Sequence, residues 1–478
     1  MRCAALWMLL ALAPADAAQF ETRAGFLVAG TTPYSVAIGD FNSDGALDAA
    51  VVNDHSPSSV VILLGNGDGT FRQGATYQVN VVFSVAAASL RQNGILDLVV
   101  GGGNDTVSVL LGNGDGTFQP PVAYPTTAGS VRVGVGNFMG NGSVDIIDLE
   151  ATSDQGEVCD CVEILPGNGD GTFGAPITTP IPYNIGGSAM VTGDFNNDGK
   201  LDVAVAGQFL SDYQVDILLG NGNGTFDADG YYALPGGPDS VAANYFTANK
   251  KDLDLALTDG SASVLIGEGN GAFQPAVDYR ANFPTCVIAQ DLNGDGKVDL
   301  AASDAGSPPQ QPVGVNVLNG NGDGTFQPAV FYPAGKQINF VAAADFNGDG
   351  KPDLLLVDIL GHTVITLLNT GVVSFSPTRP LNFGDQSVGT TSKAQIVTLT
   401  NTGRTELKIK SMKASAEFAV TSTCGARVAA GANCTISATF SPAKKGAAQG
   451  TISIIDSAST KPQVIELLGT GTNQDKEK

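Results

Sequence analysis

Histidine and tryptophan are almost missing from this chain of 478 residues. There are two histidines, His55 and His362, and one tryptophan, Trp7. Two histidines so far apart leave no Ser-His-Asp or Cys-His order, and so no ready nucleophilic site. With Trp7 confined to the N-terminal stretch, the rest of the chain has no indole to stack on a sugar. Charge is sparse, at 15% of residues, and positive charge is the minority: 24 Lys and Arg stand against 47 Asp and Glu, for a net −23. That balance argues against nucleic acid and anionic membranes as partners. Long apolar runs are missing too. The longest, Ala4 to Ala13, is too short to span a bilayer.

What that short run does fit is a secretory leader. Arg2 supplies the positive start and Ala15-Asp-Ala17 a small-x-small cleavage site, which predicts a signal over residues 1–17 and export without membrane insertion. Of six cysteines, Cys3 lies in the leader. In an oxidising compartment Cys424 and Cys434 are the best pair. Cys159 and Cys161 share a strand face, and a direct bond between them would be strained. One Cys-x-Cys with no second pair argues against zinc, and Cys286 reads as a small buried apolar residue.

Glycine, at 61 residues, is abundant, and much of it lies in a nine-residue phrase that returns seven times. Four copies are intact: Asp40 to Asp48, Asp194 to Asp202, Asp291 to Asp299 and Asp345 to Asp353. Three are worn: Ser89 to Asp97, Asn137 to Asp145 and Asn244 to Asp252. Successive starts are 49, 48, 57, 50, 47 and 54 residues apart. A period near fifty marks a repeat architecture. The intact copies place Asp, Asn and Asp at positions one, three and five, Gly at six and Asp at nine. Calcium takes six to eight oxygens in a tolerant geometry, and short carboxylates at alternate positions suit it. Gly at six permits the positive φ that wraps the chain around an ion. Position seven offers its carbonyl. No Glu stands at position twelve and the flanks are short apolar runs, so an EF-hand is excluded. The worn copies carry Arg91, Met139 and Phe246 at position three and read as metal-free turns.

Each repeat contains four strand-like pieces, the first being Ser35 to Gly39, Leu47 to Val52, Val60 to Leu64 and an extended stretch toward Val81. Between the third and fourth pieces stands a second phrase, Gly65-Asn-Gly-Asp-Gly-Thr-Phe71. It recurs from Gly112, Gly167, Gly220, Gly267 and Gly320, giving six turns for seven acidic loops. The seventh unit lacks a last strand, and Phe20 to Val28 is free to supply it. That offset closes a ring of four-stranded sheets, a propeller, rather than an open solenoid. Near Val373 the period is lost. Alternation at Ala394 to Thr400, Cys434 to Phe440, Gly450 to Ile455 and Val464 to Leu468 predicts an antiparallel sandwich. The expected fold is therefore all-β: a seven-bladed β-propeller over 18–372, an Ig-like sandwich over 373–472 and a polar tail over 473–478.

The repeats resemble the FG-GAP and VCBS families, whose best-known relatives are the propellers of integrin α subunits, over about Gln19 to Asn369. The resemblance implies that each nonamer joins the first two strands of a blade and binds calcium. Residue by residue it implies Asp40, Asn42, Asp44 and Asp48; Asp194, Asn196, Asp198 and Asp202; Asp291, Asn293, Asp295 and Asp299; and Asp345, Asn347, Asp349 and Asp353. The main-chain ligand falls at Ala46, Lys200, Lys297 and Lys351, so about four Ca2+ sites are expected. Leu381-Asn-Phe-Gly-Asp-Gln386, Thr398 to Gly403 and Gly431 to Pro442 resemble the immunoglobulin-like ASH, or choice-of-anchor, modules.

Acidic loops and Gly-Asn-Gly turns emerge on one face of such a ring. The variable loops, Asn53 to Ser59, Leu149 to Asp160 and Ser303 to Gln311, emerge on the other, where recognition usually lives. The expectation is a secreted, calcium-binding recognition or adhesion module for an extracellular protein or glycan, without catalysis. The alternatives are a polysaccharide lyase or hydrolase, for which Asp105, Asp148 and Asp259 are surplus acids, and a purely structural matrix protein.

Overall fold

The computed structural model describes residues 20–22, 25–28, 32–54, 57–80, 82–103, 105–150, 160–182, 186–209, 212–281, 283–306, 313–369, 373–376, 380–401, 406–456 and 462–473. The expected leader, His55, Cys159 and much of two variable loops lie outside these residues. The chain divides into two compact units, the larger holding Thr22–Leu292 and Gly296–Asn369, the smaller built on Thr370–Lys478.

The described residues of the larger unit form seven antiparallel sheets. The first comprises Pro33–Gly39, Asp48–Asn53, Ser59–Gly65 and Phe71–Gln78, in chain order. Its middle strands are buried along their whole length, whereas Phe71–Gln78 is mostly exposed beyond Phe71. Strands rich in Val, Ile and Leu on both faces need cover on both faces, and neighbouring sheets provide it. Val36, Val51, Leu63 and Phe71 of the first sheet pack with Phe346, Leu355, Val357 and Val364 of the seventh. On its other face Ala50, Val52, Ile62 and Leu64 pack with Val85, Leu98, Leu110 and Phe118 of the second.

The innermost strands touch in cyclic order: Pro33–Gly39, Ser84–Ala88, Ser130–Gly136, Gly186–Gly193, Ser240–Asn244, Val287–Gln290, Ile338–Ala344, and back to Pro33–Gly39. The ring is closed. Its seventh sheet has Ile338–Ala344, Asp353–Asp358 and Thr363–Asn369 from the end of the repeats and Phe26–Leu27 from their beginning, with Phe26 opposite Val364 and Leu27 opposite Thr363. The expected single strand from Phe20 to Val28 is two short ones, Phe20–Thr22 and Phe26–Leu27.

The smaller unit is a sandwich of two four-stranded sheets. One orders Val373–Ser376, Gln395–Asn401, Asn433–Phe440 and Phe418–Ser422; the other orders Leu381–Ser387, Gln463–Thr472, Gly446–Ile455 and Ser411–Ala414. One pair, Leu381–Ser387 with Gln463–Thr472, is parallel, so the sandwich is not wholly antiparallel as expected. Alternation within each strand could not reveal this, because it fixes the buried face and not the partner's direction. The core holds Val397, Leu399, Phe418, Ile436, Phe440, Ile452 and Leu467. Cys424 and Cys434 form the expected disulfide, with Cα atoms 4.8 Å apart.

Candidate metal centres

Each intact nonamer joins the first and second strands of its sheet, as expected. In the first, Asp40 Oδ1 and Oδ2 accept from the amides of Asp44 (3.2 Å) and Gly45 (3.0 Å). Asn42 Oδ1 also accepts from Asp44 N (2.9 Å), and Asp44 Oδ1 from Ala46 N (2.8 Å). The copies at Asp194 and Asp345 repeat this set at Asp198, Gly199 and Lys200 and at Asp349, Gly350 and Lys351. In the remaining copy Gly296 N donates to Asp291 Oδ2 and Asp295 N to Asn293 Oδ1. Position six has positive φ throughout, from 82° to 89°. Position four is left-handed as well, in Ser43, Asn197, Gly294 and Gly348, which the sequence reading missed.

Position nine does something the sequence did not suggest. Asp48 is fully buried. Its Oδ2 accepts from Phe41 N (2.9 Å) and its Oδ1 from Gly65 N (2.8 Å), tying the start of the loop to the end of the third strand. Asp97, Asp145, Asp202, Asp299 and Asp353 make the same pair of bonds to Leu90 and Gly112, Phe138 and Gly167, Phe195 and Gly220, Leu292 and Gly320, and Phe346 and Asn369. Worn and intact copies do this alike, so position nine is first a structural clamp. In the first sheet Gly is required at the far end, because a Cβ on Gly65 would meet Leu47 O at 2.2 Å. Burial, with Asp44 and Asp40 adding to it, pushes the Asp48 carboxyl above the usual carboxylate range.

In the fifth copy the clamp is Asp254, which accepts from Phe246 N (2.7 Å) and Gly267 N (2.8 Å). Asp252 is therefore not position nine. The loop is one residue longer than its siblings, and Phe246 takes the buried place of Phe41 at position two. In the second copy Arg91 Nη2 bonds Asp97 Oδ1 (2.5 Å) and Gly112 O (2.6 Å), placing a fixed cation at position three. The worn loops reach the same turn with neutral acceptors at position one: Gly94 N donates to Ser89 Oγ (3.1 Å) and Gly142 N to Asn137 Oδ1 (3.2 Å). The turn therefore does not need two carboxylates at positions one and five. Where they occur together they exceed what folding the turn requires. The donor set of three carboxylates, a carboxamide and a main-chain carbonyl in one turn fits a hard divalent cation. Part of the excess is met by lysines at position seven: the exposed Lys200 Nζ lies 3.0 Å from Asp198 Oδ2, and the half-buried Lys351 Nζ 3.7 Å from Asp349 Oδ2.

The acidic loops are also joints. In five of the six Gly-Asn-Gly turns an amide reaches the position-two carbonyl of the preceding sheet: Gly69 to Phe346 (3.0 Å), Gly116 to Phe41 (2.9 Å), Gly224 to Phe138 (3.2 Å), Gly271 to Phe195 (3.1 Å) and Gly324 to Phe246 (3.1 Å). Edge-to-face ring pairs accompany them at Phe71 with Phe346, Phe41 with Phe118, Phe138 with Phe226, Phe195 with Phe273, and Phe246 with Phe326. The seventh sheet has no such turn, and Asn369 replaces it. Its Nδ2 donates to Leu292 O of the sixth (2.6 Å) and Pro352 O (2.9 Å).

On the opposite face the acids differ: Asp148 keeps one buried oxygen, Oδ2, without a hydrogen-bond partner among the described residues. Asp259 accepts from Ser261 and Ser263 hydroxyls, Asp358 from the amides of Lys336, Gln337 and Gly361, and Asp105 holds a left-handed corner. No helix among the described residues is long and apolar enough to cross a membrane.

A family model described as FG-GAP-like repeat matches residues 40–100, 90–147, 148–205, 194–248 and 291–356. A second, described as ASH (abnormal spindle-like microcephaly-associated, ASPM-SPD-2-Hydin), matches residues 370–464. No curated protein matches the sequence. Among solved structures, the chain is similar to BBS1N in complex with ARL6DN, in crystals soaked with mercury and with lead. Each is 12% identical with a TM-score of 0.51, covering 73% of this chain and 97% of the other. At that identity the likeness is one of fold.

Proposed function

The chain belongs to the FG-GAP-like repeat family, and from that premise we propose that it is an exported, calcium-stabilised β-propeller that binds an extracellular protein or glycan and catalyses nothing. The observation that carries the calcium reading is the contrast between loops. Two worn copies fold the same turn with a neutral acceptor at position one, one of them with a fixed cation at position three, while four copies keep paired Asp residues at positions one and five. Calcium there would be held by Asp40, Asn42, Asp44, the Ala46 carbonyl and Asp48, and by the matching groups of the other three intact loops. It would supply the positive charge that these carboxylates lack. Because position two of each intact loop is bonded to the next sheet, whatever stiffens such a loop stiffens a joint.

Three of the four intact loops lie on the sixth, seventh and first sheets, which are consecutive around the ring. They flank the seam where Phe26–Leu27 pairs with Thr363–Asn369. A calcium-dependent latch at the closure follows from that placement. The Cys424–Cys434 disulfide suits an oxidising compartment, and the short apolar leader suits export. A propeller of this fold holding a protein partner has a precedent in the complex of BBS1N with ARL6DN.

The test is capture of partners from the native surface by the purified full chain, with calcium and with chelator, alongside a glycan array. Calcium-dependent retention of one protein or one glycan class is expected. Product release from polysaccharide in place of retention would overturn the binding role.

A further inference from the structure

We propose that the third sheet carries a closed site for a thiophilic divalent cation of the zinc class, built from Glu150, Cys161 and Glu163 with Asp148 as fourth ligand. The site owes nothing to the acidic loops. It lies at the other end of the strand that begins at Asp145, five residues or about 17 Å away at the usual rise.

Register brings the four side chains together. Glu150 stands directly opposite Cys161 and Asp148 opposite Glu163, so all four share one face of the sheet. One ligand atom from each of Glu150, Cys161 and Glu163 lies within 4.8 Å of the others. Cys161 Sγ is 3.2 Å from Glu150 Oε2. In a tetrahedral site with zinc–sulfur and zinc–oxygen bonds near their usual lengths, ligand atoms sit about 3.5 Å apart. One edge of this triad is already close to that length, and its other edges need a contraction of about 1 Å at most; Asp148, outside the triad, would have to swing its free oxygen in to close the site.

All three carboxylates have no exposed surface, and none forms an ion pair among the described residues. Burying three adjacent carboxylates without a counter-charge is costly. The surrounding donors orient them without neutralising them. Thr127 N donates to Glu150 Oε1 (3.0 Å) and Glu163 Oε2 (3.2 Å), Thr178 Oγ1 donates to Glu163 Oε1 (2.7 Å), and the Thr127 hydroxyl adds to the same oxygen. The Ser130 hydroxyl holds Asp148 Oδ1. Such partners are what fixes ligands around a metal. Asp148 Oδ2 is buried and has no hydrogen-bond partner, and an unsatisfied buried carboxylate oxygen calls for an explanation.

The sixth sheet is the control. The same four positions hold Asp304, Gly314, Asn316 and Ala302. There the single carboxylate is satisfied by Asn316 Nδ2 (3.2 Å) and Gly306 N (3.0 Å). Calcium and magnesium take oxygen ligands, so the thiol selects a softer ion. The lone Cys-x-Cys argued against zinc because the thiol's partners were sought among cysteines. They are carboxylates from the adjacent strand.

The test is a cobalt(II) titration of the chelator-stripped full chain. With the acidic loops held saturated by calcium, one equivalent should bind and give a near-ultraviolet thiolate charge-transfer band that zinc displaces. Cys161→Ser should abolish the band, Glu163→Gln should weaken binding at least tenfold, and Asp44→Ala should leave both unchanged. A folded wild-type chain with no band, or a band that survives in Cys161→Ser, would overturn the proposal. Should Cys161→Ser fail to fold, unchanged affinity in Glu163→Gln would overturn it equally.

Discussion

An aspartate in these loops has one of two jobs, and mutation separates them. Position nine is buried and holds two amides in every sheet. We expect Asp145→Ala, in a worn copy, to cost about 2–5 kcal/mol, because two buried donors lose their acceptor. Urea unfolding should give the same loss with calcium and with chelator. Asp44 is exposed, so Asp44→Ala should cost little in chelator and remove part of the gain that calcium provides. Gly45 sits at φ 89° with open space where a Cβ would go. Gly45→Ala should therefore cost about 1–2 kcal/mol through backbone strain alone, read in the same unfolding experiment. At this scale the sequence was legible where a residue type announces a local need. Gly at position six announces positive φ, and alternating Asp and Asn announce oxygen ligands. It was opaque where the need is remote. The clamp on Asp48 depends on Gly65, seventeen residues on. The fifth loop misled because a nine-residue count from Asn244 ends on Asp252, while the loop opens one residue later, at Tyr245, and a one-residue insertion carries the clamp to Asp254.

Between elements, the two repeated phrases prove to be halves of one joint, which their separation in the chain concealed. The mismatch of six turns and seven loops was readable, and it pointed to closure. The replacement of the missing turn by one side chain was not. Asn369→Ala removes the amide that reaches Leu292 O and Pro352 O, and we expect a loss of about 1–3 kcal/mol. Hydrogen exchange should quicken first at the sixth and seventh sheets. Acidity acts on elements too. Burial lifts Asp216 to about 6, against a hydrogen bond from Gln214. Burial, with Asp349 and Asp345 adding to it, lifts Asp353 to about 7. Both carboxyls hold protons in the folded chain that they release when unfolded. The stability they contribute is full below about pH 4 and is lost as pH rises through 6 and 7. Melting temperature in chelator should fall across that window. Asp353→Asn should flatten the upper part of the fall, and calcium should do the same in the parent.

At the scale of the whole ring, the period and the offset ends disclosed a closed wheel before any contact was known, because each sheet can bury its faces only between two others. The sandwich was legible as strands and not as partners, since alternation carries no direction. Intact loops crowd the seam, so the ring should open there first when calcium is withdrawn. One site saturated at a hundred times its dissociation constant adds roughly 2.7 kcal/mol, and several sites together make a shift too large to miss. The most direct measurement is thermal unfolding of the full chain with calcium and with chelator, in parent, Asp44→Ala and Asp198→Ala. Calcium-clamped loops require a higher melting temperature with calcium, part of which each substitution removes. An identical melt in calcium and chelator would contradict them.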